Sequence, residues 1–434
     1  MKPKKFKQTE IGMIPEDWEV KPILSFATIK SGKRLPKGRD IVEDNTGFPY
    51  IRIRDLQDMS VNVPEVKFLE PDVQSIIKKY IITEKDIYIS IVGTIGLVGT
   101  VPKVLNNANL TENCARLTEL KIDRNYLKYF LNSKFGQNQI KSLTVGTTQG
   151  KLALSRIAKI LVAIPEDYEQ RSIAKILSSL DSKIELNQQM NKTLEAIGQA
   201  NFKRWFIDFE FPNEKGNPYK SSGGEMVNSE LGEIPKGWKV GKLGDYGTFK
   251  NGINYLRGET GDTDFFIANV RDIANNKLLL KNSLDNISLN MKKAQDYLLK
   301  DKDILIARSA SPGEVSLVLG NLDKVIYSGF SIRYRLNNPN NYLYIFLIMQ
   351  RLKENLSNFA VGTTLQSVNQ DTLKNMKFIL PENRVLEKFN RIIEKILERT
   401  YGNLIQNSNL SQIRDSLLPR LMSGKIRVPV EVRT

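Results

Sequence analysis

Glu10-Ile-Gly-Met-Ile-Pro-Glu-Asp-Trp18 returns as Glu230-Leu-Gly-Glu-Ile-Pro-Lys-Gly-Trp238, and this repetition decides the architecture. The match continues through Val20/Val240, Thr28/Thr248, Lys30/Lys250 and Gly32/Gly252. Arg54-Asp55 recurs as Arg271-Asp272, Lys85-Asp86-Ile87 as Lys302-Asp303-Ile304, and Val145-Gly-Thr-Thr148 as Val361-Gly-Thr-Thr364. Ile164-Pro-Glu166 recurs as Leu380-Pro-Glu382. The offset drifts only from 220 to 217 to 216, so the halves differ by a few loop residues. The chain is a tandem duplication, with a pseudo-two-fold relation expected between its copies.

Each copy has one plan. A mixed region comes first, with β-rich runs such as Asp86-Ile-Tyr-Ile-Ser-Ile-Val92 and Asp303-Ile-Leu-Ile-Ala307, punctuated by Gly and Asn turns. A helical pattern follows each Pro-Glu pair. Over 166–206 the apolar positions Ile173, Leu177, Leu180, Ile184, Leu194 and Ile197 recur at 3–4 spacing. Over 382–422 the stripe is Leu386, Phe389, Ile393, Ile396, Leu404, Leu410, Leu417 and Leu421, with Pro419 near its end. A helix of that length is about 60 Å long. Each stripe is therefore expected to pair with the other, antiparallel and coiled-coil-like. Asn187 and Asn191 interrupt the first stripe, and Thr400 and Asn407 lie near the second. Phe211 to Gly224 reads as a plain linker. The expected division is residues 1–165, a helix over 166–206, a linker over 207–229, residues 230–381, a helix over 382–423 and a tail from 424. The fold class is α+β, with two mixed domains at opposite ends of a helical spacer.

Composition narrows the chemistry. The 434 residues contain 64 Lys+Arg against 48 Asp+Glu, a formal charge of +16, with no His and one Cys. Without His there is no Ser-His-Asp or Cys-His machinery and no His-containing metal site. Cys114 reads as a small apolar core residue. An excess of positive charge points to a polyanion, nucleic acid before a membrane surface. No stretch approaches the roughly 18 apolar residues of a membrane span, and the chain reads as cytoplasmic.

Catalytic signatures are missing. There is no G-x-x-x-x-G-K-[ST] phosphate loop. Gly93-Thr-Ile-Gly96-Leu-Val-Gly99 has the wrong spacing for a dinucleotide turn and reads as strand and turn. Asp55 with Glu65-Val-Lys67 has passable spacing for a Mg²⁺ nuclease, but the second copy has no counterpart. A binder is favoured, with no metal site.

Candidate DNA contacts come from basic and amide-bearing loops. Lys30-Ser-Gly-Lys33-Arg34-Leu-Pro-Lys-Gly-Arg39 gathers cations beside turn-forming residues. Arg52 and Arg54 alternate with Ile51 and Ile53 and are expected on one face of a strand. Thr147, Thr148, Gln149 and Lys151 follow a glycine in one copy, and Thr363, Thr364 and Gln366 in the other. Lys250, Arg271 and Arg308 complete the set. Arg and Gln can engage base edges bidentately, whereas Thr and Lys more often touch phosphate. Repeated positions such as Lys30/Lys250 and Arg54/Arg271 can instead be structural.

Several segments resemble the specificity subunits of type I restriction–modification enzymes. They are the Gly-x-Ile-Pro-x-x-Trp opening of each copy and Pro165-Glu166 running through Glu169-Gln170 into Ile173-Ala174. Phe202-Lys-Arg-Trp-Phe-Ile-Asp-Phe209 and Leu417-Leu-Pro-Arg-Leu-Met-Ser-Gly-Lys425 also belong to the pattern. Glu382-Asn-Arg-Val departs from it, because Glu169-Gln170 has no match there. The resemblance implies two target-recognition domains, each reading half of an interrupted site in double-stranded DNA, and helices that set the spacing. It implies two partner methyltransferase subunits carrying S-adenosylmethionine for adenine methylation. Restriction subunits would use ATP and Mg²⁺, and this chain would hold no cofactor. An autonomous DNA-binding regulator is the alternative.

Overall fold

The computed structural model describes residues 5–57, 59–146, 150–256, 258–320, 322–351 and 368–428. The chain divides into two units. One contains residues up to Ile184 together with those from Asn409, and the other is Glu185–Ser408.

The first unit is built on a four-stranded antiparallel sheet in the order Val98–Thr100, Ile87–Ser90, Cys114–Thr118, Thr28–Ser31. The Ile87–Ser90 strand is buried throughout. A strand's side chains alternate between faces, so a fully buried strand must serve two layers. Ile87 and Ile89 enter one apolar cluster while Tyr88 enters another with Cys114. Burial pushes the Cys114 thiol up to about 12, as a core residue requires. A second sheet orders Lys67–Phe68, Pro49–Ile51, Ala108–Leu110, Ile81–Ile82, with its central pair parallel. Gly93 and Gly96 both take positive φ (74° and 90°) in the turn that returns the chain to Val98–Thr100.

The second unit repeats this plan. Gly247–Asn251, Ser331–Leu336, Ile304–Ala307 and Val315–Leu317 form its antiparallel sheet, and Thr263–Ala268 pairs in parallel with Val325–Tyr327. Corresponding registers survive: Lys30 lies opposite Arg116, and Lys250 opposite Arg333. The repeated Gly32 and Gly252 have a shared cause. A Cβ at Gly32 would collide with the carbonyl oxygens of Leu110 and Thr111, and one at Gly252 with those of Tyr327 and Ser328. Backbone approach that close is possible only for glycine.

The two long helices are Asp167–Phe206 and Asn383–Met422. Asp167 and Glu169 open the first, and Lys203 and Arg204 close it, which complements the helix dipole. Within each unit the helices run in opposite senses. In the first, Ile173 and Leu177 share a core with Leu421 and Met422. In the second, Asn187 meets Gln406 and Asn407, Asn191 meets Thr400, and Phe206 meets Phe389.

The expected apolar stripe holds at its ends and yields in its middle. Ile173, Leu177, Phe389 and Ile393 are buried. Leu180, Ile184, Leu194, Ile396, Leu404 and Leu410 are half-buried, and Ile197 is exposed. Between them Asn187 and Asn403 are buried, and their side-chain amides find partners across the pair.

The segment read as a plain linker is packed instead. Phe211 stacks on Tyr219 at 4.6 Å and on Trp238 at 5.1 Å between ring centroids, and its carbonyl accepts from the Tyr219 N–H. Composition suggested a loop; the aromatic residues within it anchor it to the second unit. Among the described residues, no helix is long and apolar enough to cross a membrane.

Candidate nucleic-acid interface

In the first unit four chain segments converge at one end of the central sheet. The Lys33 N–H donates to the Leu110 carbonyl at 2.8 Å, the Ile91 N–H to Asn113 at 2.8 Å, and the Leu152 N–H to Ile91 at 3.0 Å. The Thr111 N–H donates to Ile51 at 3.1 Å. These bonds bring together Lys33 and Arg34, the Thr111–Asn113 turn, the chain after Ile51, and Lys151, which bridges to Val92 and Val145. Residues 147–149, and with them Thr147, Thr148 and Gln149, lie outside the described residues.

The second unit makes the same bonds with different side chains. The Ile253 N–H donates to the Tyr327 carbonyl at 2.9 Å, the Arg308 N–H to Phe330 at 2.9 Å, the Val368 N–H to Arg308 at 3.0 Å and the Ser328 N–H to Ala268 at 3.0 Å. Thr363, Thr364 and Gln366 lie outside the described residues. Conserved backbone geometry carrying changed side chains is how one scaffold can present two chemistries. Where the first unit shows Ile91 and Asn113, the second shows exposed Arg308 and Phe330.

The cations selected from sequence fall into two groups. Arg34 is 82% exposed, and its Nε donates to Glu112 at 2.8 Å. Lys33 is exposed, with its ammonium 5.5 Å from the Tyr80 ring. Lys151, Arg54 and Arg308 are exposed as well. An exposed ion pair is worth little in high dielectric, so a phosphate can displace Glu112 from Arg34 at small cost.

The others have structural employment. The expected strand carrying Arg52 and Arg54 ends at Ile51, and a 3₁₀ turn over Ile53–Asp55 follows. The Arg52 guanidinium folds back onto the wholly buried Asp55, donating to its two oxygens at 2.9 and 2.7 Å and to the Glu65 carbonyl at 2.8 Å. Asp55 in turn accepts the Arg52 backbone N–H at 2.8 Å, and Asp272 accepts that of Asn269 at 2.9 Å. The repeated Arg-Asp pair thus keeps its aspartate to cap a turn. With both oxygens held by Arg52 and no exposure, Asp55 offers nothing to a metal ion. Lys67, the third member of that triplet, pairs with Glu43. Arg271 pairs with Asp285 at 2.5 Å, which raises its pKa above the ordinary arginine value. Lys30 pairs with Glu119, and Lys250 with Asp296, its ammonium 4.7 Å from the Tyr297 ring.

Sequence reasoning passed over Glu112, which answers Arg34, and over Phe330 and Leu256, which are 68% and 78% exposed on adjoining loops. An exposed aromatic cannot be distinguished from a core one by local pattern; the signal lay only in its place beside the repeated loop positions.

The family described as type I restriction modification DNA specificity domain matches twice, over residues 15–196 and 235–414. The MjaIX type I restriction enzyme specificity subunit of Methanocaldococcus jannaschii is 29% identical over 435 residues, covering 98% of this chain and 96% of that one. The HindI specificity subunit of Haemophilus influenzae is 26% identical over 333 residues, 64% of this chain and 71% of its own. A crystal structure of a type I restriction–modification S subunit from M. genitalium shares the fold, with a TM-score of 0.57 at 17% identity over 93% of this chain and 96% of that one. Two copies of one domain, matched over most of the sequence, place this chain in the type I restriction–modification DNA specificity family.

Proposed function

We propose that this chain is the subunit that reads DNA for a type I restriction–modification enzyme, each copy of the domain reading one half of an interrupted site. The observation that carries this reading is the pair of matching loop clusters, identical in backbone bonding and different in side chains. Arg34, Lys33, Lys151 and Arg54 would meet phosphates or base edges in one half-site, and Arg308 with Phe330 would serve the other. Lys30, Lys250 and Arg271 sit in exposed ion pairs, as Arg34 does, and would add positive field and displaceable donors. Thr147, Thr148, Gln149, Thr363, Thr364 and Gln366 belong to the same proposal from sequence alone.

Two methyltransferase subunits would supply S-adenosylmethionine and the transfer to adenine, and restriction subunits would supply ATP-driven cleavage with Mg²⁺. The long helices are proposed to fix the spacer between the half-sites. The deciding experiment maps adenine methylation across the genome of the source cell with the gene intact and deleted. Loss of methylation at one bipartite motif supports the reading, and identical maps overturn it.

A further inference from the structure

Each unit buries one of the two repeated tryptophans, and in each a segment just beyond the end of a long helix covers it. In the first unit the segment follows Met422. The Arg427 guanidinium lies 5.9 Å from the Trp18 ring and forks between two carboxylates. It donates to Glu169 at 2.6 and 2.9 Å and to Asp17 at 3.0 and 2.6 Å. The Trp18 indole N–H donates to the same Glu169 at 3.0 Å. Glu169 is 1% exposed, so its charge has almost no water to fall back on.

In the second unit the segment follows Phe206. Five residues past that helix end, as Arg427 is five past Met422, stands Phe211, with its ring stacked 5.1 Å from Trp238. The repeat offsets that align the two tryptophans and the two helices put Gly237 where Asp17 stands and Val385 where Glu169 stands. Three positions have therefore changed together, from two carboxylates with a guanidinium to glycine and valine with a phenyl ring. Loss of Arg427 alone would leave the charge of the buried Glu169 unanswered.

We propose that the two tryptophans floor two mutually exclusive docking seats, a charged one that takes only the segment carrying Arg427 and an apolar one that takes only the segment carrying Phe211. A phenyl ring on Trp18 would leave Glu169 buried with one indole N–H and no countercharge. An arginine on Trp238 would face Val385 in place of a buried carboxylate, with Glu214 and Glu225 already paired with Arg384 and Lys236 and only the exposed, water-screened Glu382 left to answer it. Gly237 takes a φ of +88°, where a side chain like that of Asp17 would be strained. The two helix ends hold equivalent places in the duplication, and the exchanged chemistry tells each which domain to cover. This inference is independent of what the loop clusters bind.

A four-way exchange in the full chain tests it. Arg427→Phe alone, and Asp17→Gly with Glu169→Val while Arg427 is kept, are mismatched. Asp17→Gly, Glu169→Val and Arg427→Phe together rebuild the apolar seat and its segment. Thermal unfolding and amide exchange over residues 12–22 are measured for all four chains, with native mass by light scattering. Both mismatched chains are expected to melt several degrees lower and to exchange faster over 12–22, and the triple variant to recover most of both losses. The triple variant should also self-associate more than the wild type, because the segment after Phe206 of a second copy now fits the first seat. If a mismatched chain does not fold, the triple variant decides alone. Losses that add rather than cancel, a triple variant that fails to fold, or one no more associated than wild type would each overturn the proposal.

Discussion

Asn403 donates its side-chain amide to the Asn191 carbonyl oxygen at 2.8 Å in the helix pair of the second unit, where a continuous apolar seam would place leucines. Asn191 passes an amide hydrogen on to the Thr400 carbonyl at 3.3 Å, and Asn187 donates to Gln406 and Asn407 at 2.8 Å each. A polar layer of this kind tolerates one register, since a shift of a turn would strand buried amides.

The Asn191–Asn403 contact should therefore show coupling. Asn191→Leu alone leaves the Asn403 amide buried without its acceptor and is expected to cost about 1–3 kcal/mol. Asn191→Leu with Asn403→Leu removes both partners and should be near neutral or stabilising. Urea unfolding of the four chains measures the cycle, and additive losses would mean the contact does not fix the pairing.

Glycine substitutions should separate by site. Gly32→Ala and Gly252→Ala each push a methyl group into backbone carbonyls, and each should lower stability by about 3 kcal/mol or more. Gly402→Ala, where a Cβ meets nothing within 4 Å on an exposed helical position, should raise it by about 0.5–1 kcal/mol. Thermal melts of the three variants check the contrast.

Two arginines close in sequence should fail differently. Arg34→Ala should leave the fold intact, weaken DNA binding and reduce the salt slope of binding by about one. Arg52→Ala should cost about 3–5 kcal/mol of stability, because Asp55 loses its partner in a site with no exposure. A wild-type salt slope for Arg34→Ala would remove it from the phosphate contacts.

The hydrogen bonds from Arg427 hold the Asp17 carboxyl below its ordinary pKa of 3.8. A carboxyl lowered on folding contributes stability in full above that value and loses it as pH falls through the lowered one. Acid unfolding of the first unit should steepen below about pH 4. Asp17→Asn should flatten that limb while leaving the curve near neutrality parallel, and an unchanged acid limb would discount the contact.

The repeated motifs were enough to establish duplication, the α+β class and both long helices, because hydrophobic periodicity and turn residues are local signals. The helices begin and end within a residue of the spans read from their apolar spacing. The family was legible for the same reason, since Gly-x-Ile-Pro-x-x-Trp and the helix-end motifs are contiguous. Partnership was not legible. Arg34 and Arg52 look alike in the chain, yet one is 82% exposed and the other spends its fork on a buried aspartate. Likewise Phe211 sits in a stretch rich in Gly, Pro and Asn, and only its stacking on Trp238 reveals an anchor. Sequence thus determined which elements form and how often, because those depend on neighbours along the chain. Tertiary structure decided which charges remain free and which segment covers which tryptophan, because those depend on atoms brought close from up to 410 residues away.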